Sequence, residues 1–261
     1  MVRGSVAWIA VAPVKGLRLS LRDEVRLERT GVPGDRRFYF VDESGRFVNG
    51  KRFGCLFEVV AKHDDNRLAL EFPDGRSVEE EVRLGEAIET DFYGRRVSAR
   101  LVWGPWSEAV SDFAGRPLRL ARTDEPGAAI DRSARAAATL VSTAALARLA
   151  EAADIEQPVD GRRFRMLFGV DGIPAHAEDG WLGRRVRVGE AVVVPRGNVG
   201  RCAVTTLDPD RGVRTLDTLA ALACYRGGVE TTEPLPFGVW AEINEPGHVR
   251  LGDAVEPELD A

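Results

Sequence analysis

The sequence predicts a mainly β protein with few helices, on three observations. Short apolar or alternating runs fill most of the chain, separated by Glu-Ser-Gly, Asp-Asp-Asn and Pro-Asp-Gly turns. Only three stretches repeat their apolar residues at helical spacing. A length of 261 residues at 44% hydrophobic composition also supplies enough apolar side chain for one large core or two modest ones.

In order along the chain, SVAWIAVAPV (residues 5–14) is the first strand. Its Ala10-Val11-Ala12 superficially matches a signal-peptide cleavage site, but the cut would fall too early for a segment that runs to about 15–30 residues. RRFYFVDESGRFVNG (36–50), LFEVVAKHDDNRLALEFPDG (56–75) and RRVSARLVW (95–103) follow as strands, the rhythm of a small barrel or sandwich. SEAVSDFAG is a short helix ending at Gly115, ahead of Pro117. Residues 123–139, TDEPGAAIDRSARAAAT, have little apolar period and read as a loop, of a length often functional. STAALARLAEAAD is the strongest helix, with Ser142 or Thr143 as N-cap and Leu146, Leu149 and Ala153 on one face. Strands resume over 164–170, 184–188 and 191–195, and a helix covers 217–225. VWAEINEPGHVRLGDAV then closes the chain as a hairpin around Pro246-Gly247.

A net charge of -5 and a pI near 5.5 argue against a duplex nucleic-acid binder, whose phosphate contacts need a basic face. No run approaches the ~20 apolar residues of a membrane helix. Cys55, Cys202 and Cys224 are far apart and odd in number, so no disulfide framework or zinc spacing is present and a cytoplasmic, reducing location is expected.

GRFVNGKR, from Gly45, has Gly45, Gly50 and Lys51 at P-loop spacing, but Arg52 stands where Ser or Thr is needed. Phe53-Gly54 opens a β-like piece instead of the helix that would cradle phosphate. His63 and His248 read as solvated turn histidines, while His176 in GIPAHAEDGW is free to approach a pocket without partner ligands. Glu79 to Glu81 read as a solvated face, and no G-x-S-x-G elbow occurs.

That leaves NVGRCAVTTLDPDRG, residues 198–212. A strand over 202–207 ending in an Asp-Pro-Asp turn puts Cys202 at a loop–strand junction beside the Arg201 guanidinium, a setting that favours thiolate. Soft thiolates suit soft or high-valent metal centres. On these residues alone Cys202 is either such a ligand or a small buried hydrophobe; Cys55 and Cys224 keep the buried reading.

RCAVTTLDPDRG, with FRMLFGVDGIPAHAEDGWLGRRVRVGEAVVV before it and LAALACYR and NEPGHVRLGDAV after it, resembles the MOSC domain, named for the C-terminal part of molybdenum-cofactor sulfurases. VAPVKGLRL and GDRRFYFVDESGRFVNGKR resemble the β-barrel domain that precedes MOSC in larger members, which include the mitochondrial amidoxime-reducing component and its bacterial relatives. The resemblance covers almost the whole chain. It implies a MOSC β-barrel (116–261) preceded by a smaller N-terminal β-barrel-like domain (1–115). It also implies a molybdenum cofactor of the molybdopterin type, its metal held by the dithiolene sulfurs and a protein cysteine, at the position of Cys202. Lys15, Arg36 and Arg165 match the residues that hold the pterin phosphate, with Arg201 and Arg52 as further candidates. This chain departs from the family at Gly16, where a serine is usual, at Met166-Leu167 in place of Pro-Asn, at about Arg135-Ala136-Ala137 in place of Thr-Ser-Pro, and at Gly200 in place of a serine.

The implied activity is a molybdenum-dependent oxidoreductase that removes oxygen from N-hydroxylated or N-oxide compounds, a small-molecule substrate. The 123–139 loop would cover that substrate, and Asp171 or Asp179 would supply a proton unless they are turn carboxylates. Three cysteines without ferredoxin spacing require an external electron-donor protein. Two alternatives stay open: a carrier of molybdenum cofactor or sulfur without turnover, and a plain barrel scaffold with Cys202 buried.

Overall fold

The structure, a computed structural model, describes residues 3–131 and 134–258. It is mainly β, with 42% strand and three α-helices among the described residues. The first half contains β1 (Gly4–Val11), β2 (Val14–Lys15), β3 (Ser20–Arg22), β4 (Glu24–Leu27), β5 (Phe38–Val41), β6 (Phe47–Val48), β7 (Val60–Asp64), β8 (Arg67–Glu71) and β9 (Ser77–Glu81). There follow β10 (Arg83–Phe92), β11 (Arg95–Trp103), α1 (Trp106–Ala114) and β12 (Arg119–Thr123). The second half adds β13 (Ala138–Ser142), α2 (Thr143–Ala152), β14 (Phe168–Asp171), β15 (Val186–Val188), β16 (Ala191–Gly200), α3 (Thr218–Arg226), β17 (Pro236–Glu245), β18 (Gly247–Arg250) and β19 (Ala254–Pro257).

Seven strands close a barrel in the order β14-β13-β17-β16-β15-β19-β1, and β1 returns to β14. Val6, Ile9, Leu140, Phe168, Val186, Val193 and Val239 share its core. β-branched residues fit the pleated wall, and each large apolar side chain taken from water contributes about 1.5–3 kcal/mol. A register shift between Val6 and Trp8 brings Ile9 into the same core as Val6. The other sheet runs β10-β11-β12-β5-β2, with β6 on β5, and β7-β8-β9 form a three-stranded sheet. Phe38, Phe40, Leu68, Leu70, Trp106 and Val110 share a second core, where the Trp106 indole donates to the Leu68 carbonyl at 3.0 Å.

The two halves interlock at the start of the chain. β1 belongs to the barrel, yet β2 pairs in parallel with β5 in the other sheet. Between them Ala12 receives the Arg36 N–H at 2.7 Å and donates its own to Asp35 Oδ1 at 2.7 Å. This crossing sets Lys15 and Arg36 against the barrel.

All three helices form where the pattern puts them. α1 stops at Gly115, whose φ of +67° suits a residue without Cβ, and Asp217 caps α3 by accepting the Ala220 N–H at 3.1 Å. Ser142 occupies the N-cap position of α2, but its hydroxyl accepts the His176 N–H at 3.0 Å instead of capping, and Ala153 falls just past the helix.

Other local expectations are corrected. No hairpin forms around Pro246-Gly247: β17 is already paired on both sides, by β13 and β16, so β18 takes the edge of β4. The strand expected over 202–207 is a 3-10 turn, Ala203–Thr206, because the Thr205 and Thr206 hydroxyls donate back to the Cys202 and Ala203 carbonyls at 3.0 and 2.7 Å. Phe164 ends another such turn, Gly161–Phe164, and Gly54–Glu58 forms a third in place of a β-like piece. Cys224 is exposed and Cys55 half-buried, since α3 buries Ala221 and Leu222 instead. His63 is no turn residue: it sits half-buried on β7, its ring 5.0 Å from Phe38, and burial holds its pKa below the ordinary value. His248 lies on β18 with Nδ1 2.7 Å from Glu24. Glu79 and Glu81 do lie on the wet face of β9, with Glu79 paired with Arg67, while Glu80 is half-buried on the other face and pairs with Arg83.

Candidate functional site

A cleft of about 210 Å³ opens where the interlocked halves meet, and Lys15, Arg36, Arg165, Arg201 and Cys202 all line it. Each cation is placed by local chain geometry. Pairing with Tyr39 of β5 fixes Lys15, and Gly16 at φ +93° turns the chain directly after it. Arg36 and Arg165 stand in left-handed backbone, at φ +50° and +54°, where a side chain is disfavoured. Such strain persists only where the surroundings enforce it, and it clusters at functional sites.

Lys15 Nζ donates to the Ala129 carbonyl and to Asp131 Oδ1, both at 2.5 Å, and sits 5.4 Å from the Phe47 and Phe92 ring centres. Arg36 pairs with Asp35 and reaches the Arg165 carbonyl at 3.0 Å. Arg165 donates to the Leu17 carbonyl at 2.8 Å and stacks over Phe57. Burial lowers the Lys15 pKa; Asp131 opposes this and the Arg36 and Arg165 charges reinforce it. Burial, then the Arg36 charge, brings Arg165 down to about 10. Three cations thus crowd one wall against two carboxylates, Asp35 and Asp131. A phosphate would relieve that repulsion and engage the guanidinium forks.

Cys202 faces this wall from the barrel. It follows β16 as the N-cap of the 3-10 turn, and its thiol is exposed. Arginines secure the segment behind it. Arg163 donates to the Leu207 carbonyl at 2.7 Å, and Arg162 bridges Asp160 and Asp210. Arg201 turns inward to the carbonyls of Phe237 and Phe164 and to Met166 Sδ, so its guanidinium braces the junction.

The departures from the family pattern have local causes. A Cβ on Gly200 would lie 2.6 Å from Glu233 Oε2, whose carboxylate accepts the Gly200 N–H, and 3.0 Å from the Pro234 carbonyl oxygen, so a serine there would have to displace the Glu233 carboxylate and its hydrogen bond. Arg135 points away to Glu242 at 3.0 Å, leaving Ala136 and Ala137 to line the cleft. Leu167 donates its N–H to Thr139 Oγ1 at 2.8 Å, and Thr139 supplies a hydroxyl to the lining.

Ile130 and Asp131, from the loop expected to cover a substrate, do line the cleft. Asp171 and Asp179 do not. Asp171 accepts the Thr143 hydroxyl at 2.6 Å, and Asp179 is taken by Asn198 and Arg226 at 2.7 and 2.5 Å, so the proton-donor expectation for them is withdrawn. His176 lies elsewhere, against Tyr225 and Phe237, and burial pushes its pKa down to about 4. Arg52 is exposed outside the cleft. The polar lining residues that the sequence did not single out include Asp131, Asn49 and Tyr93, and the Tyr93 hydroxyl accepts from the Asn49 amide. Asn49 was hidden inside the false P-loop. The signal for Tyr93 was present, since Tyr93-Gly94 fills a two-residue hairpin turn where Asn-Gly is favoured.

Among the described residues no group of three or more His, Cys, Asp or Glu can hold a metal ion, so a metal here needs ligands from a cofactor. An exposed thiol opposite a largely buried, under-neutralised cationic wall fits one that carries both its own metal ligands and a phosphate.

The MOSC N-terminal beta barrel domain matches residues 3–113, and the MOSC domain matches residues 127–256. The chain belongs to the MOSC domain family. Mitochondrial amidoxime-reducing component 1 of Xenopus laevis is 24% identical over 97% of this MOSC chain and 81% of its own length. The Bos taurus component 2 is 23% identical over 97% and 82%. Molybdenum cofactor sulfurase of Oryza sativa subsp. japonica is 37% identical over 71 residues, 26% of this chain and 8% of that protein. Among solved structures, the YUAD protein from Bacillus subtilis superposes with a TM-score of 0.50 at 12% identity over 99% of this chain and 97% of its own, a likeness of fold. No helix of the described residues is long and apolar enough to cross a membrane.

Proposed function

We propose that this MOSC protein holds a molybdopterin-type molybdenum cofactor in the cleft and reduces N-hydroxylated or N-oxide compounds. One observation carries the reading: an exposed cysteine thiol and three largely buried cations, drawn from both halves of the chain, line the same cleft. Cys202 would give the protein thiolate, and Lys15, Arg36 and Arg165 the phosphate seat. When bound, the cofactor supplies a two-electron redox centre. The overall reaction takes an N–OH group, two electrons and two protons to N–H and water. This chain's residues hold the phosphate, fix the thiol on its turn and wall the substrate with Phe47, Ile130 and Trp240.

The electrons come from a separate donor protein, because three cysteines are too few for a four-cysteine iron–sulfur cluster. Three free cysteines also suit a reducing compartment, the cytoplasm. The exposure of Cys202 equally suits a second reading, a carrier that hands on cofactor or sulfur. Molybdenum per chain, measured by elemental mass spectrometry for wild type and Cys202→Ala from a host that makes mature cofactor, tests both. About one metal per wild-type chain, absent in the variant, is expected, and turnover of an amidoxime with reduced dye then separates reductase from carrier. A metal-free wild type, while a family member loads in the same host, sinks the reductase and the cofactor carrier and leaves only a cofactor-free role.

A further inference from the structure

Tyr93 has features that neither cofactor binding nor folding calls for. It is the first residue of the two-residue turn joining β10 to β11, where Phe92 pairs with Arg95. Both turn residues are left-handed, Tyr93 at φ +56° and Gly94 at +88°. That turn favours Asn-Gly, because a bulky side chain at positive φ is strained. Tyr93 therefore shares with Arg36 and Arg165 a disfavoured backbone that aims a side chain at one cleft.

The surroundings orient its hydroxyl. Asn49 is buried, and its Oδ1 accepts the Arg52 N–H at 3.3 Å, which directs Nδ2 at the Tyr93 oxygen. The phenol oxygen is thus an acceptor from Asn49, and its own hydrogen remains to donate. Phe47 holds the ring edge-on at 6.0 Å, and Phe47 is itself stacked on Phe92 at 4.6 Å. Tyr93 as a whole residue is exposed, open to an arriving ligand, while its hydroxyl end is half-buried. Burial of that end, with the charges of Asp131 and Cys202, pushes the phenol up to about 12, so it stays an O–H donor throughout the neutral range. The Cys202 charge reaches it because both groups line the cleft, from opposite halves of the chain.

We propose that Tyr93 donates its phenolic hydrogen to the N–O oxygen of the substrate and so positions that oxygen in the cleft on the Cys202 side. The inference rests on the reductase reading and adds to it a residue that recognises the atom to be removed. A neutral donor suits it, since an N–OH or N-oxide oxygen is a hydrogen-bond acceptor, and the product has lost that atom.

Calorimetric titration of molybdenum-loaded protein, with no electron donor present, tests this without turnover. The probes are an aromatic amidoxime and the matching amidine, which lacks the oxygen and is cationic at neutral pH, so each probe is compared only with itself between variant and wild type. For Tyr93→Phe the expected result is unchanged molybdenum per chain, amidoxime affinity lower by about tenfold and amidine affinity unchanged. In steady state KM rises more than kcat falls. Equal amidoxime affinity in variant and wild type overturns the inference, and so does equal weakening of both probes, which would make Tyr93 a shape-keeping residue. Loss of molybdenum in the variant overturns it in favour of a cofactor contact. Failure of the reductase reading is seen separately, in a wild type that carries no metal or binds neither probe.

Discussion

Replacing Glu178 by glutamine should change how stability depends on pH, by an amount the structure sets. Glu178 is wholly buried in the 3-10 turn Ala177–Trp181, where Oε1 accepts the Ser142 N–H at 3.2 Å. Burial, reinforced by the Asp179 charge, raises its pKa from 4.5 to about 7. The folded chain therefore keeps this proton to higher pH than the unfolded chain does. Its ionisation opposes folding: the penalty is absent below 4.5, grows with rising pH and levels off above 7. Linkage across that shift makes the penalty grow by about 2.5 kcal/mol from near pH 5 to near pH 8. The glutamine amide keeps an acceptor oxygen for the Ser142 N–H and removes the titration. Urea unfolding of both proteins at the two pH values should show Glu178→Gln gaining about 2.5 kcal/mol on wild type as pH rises. His176, whose pKa burial lowers to about 4, titrates in both proteins and drops out of the difference. A gap constant within about 0.5 kcal/mol, or one wider at low pH, would refute the argument.

Two further outcomes follow from the packing around the cleft. Gly212→Ala adds a Cβ 1.9 Å from the Gly54 carbonyl oxygen at φ +63°, so it should lose about 2–4 kcal/mol and melt about 5–15 °C lower; an unchanged melting point would contradict that contact. Lys15→Met removes a buried cation whose partner Asp131 can return to water but leaves the buried Ala129 carbonyl without its Lys15 donor, so cofactor-free protein should stay within about 3 kcal/mol of wild type. Its molybdenum per chain should fall sharply, and full loading would remove Lys15 from the phosphate seat.

The parts legible in the sequence are those that rest on local chemistry. Apolar strands, the Gly115 stop of α1 and the Asp217 cap of α3 depend on neighbours within a few residues, and the structure has them. The 202–207 segment misled because Val and Thr favour strands, while the threonine hydroxyls, bonding back three residues, stabilise a turn instead. The closing hairpin misled because the edge available to β18 belongs to β4, more than two hundred residues earlier. β9 and β10 went unread since charged residues mask their alternation. In the site, Cys202, Lys15, Arg36 and Arg165 were legible only as a set of family motifs, because no spacing rule links residues that distant. Asp131 and Tyr93 belong to no such motif, and Asn49, though inside one, carries no role there that the motif names, so only the fold shows that all three reach the cleft.

The interlock explains why a cationic wall can exist there. Like charges held in a buried place oppose folding, so they persist only where other contacts over-determine the chain. Here β1 is built into the barrel while β2 is built into the other sheet, and the Ala12 backbone is tied to Asp35 and Arg36 from both its N–H and its carbonyl. Arg165 is tied in turn to the Leu17 carbonyl and, through its own carbonyl, to Arg36. Neither half could shed the repulsion by swinging away without tearing strands from both sheets. The strain at Arg36, Tyr93 and Arg165 falls at this same boundary, where the two cores supply the packing that enforces it. A ligand that brings negative charge would relieve the repulsion, and on the proposed function a cofactor phosphate bound there would stabilise the fold most at this junction.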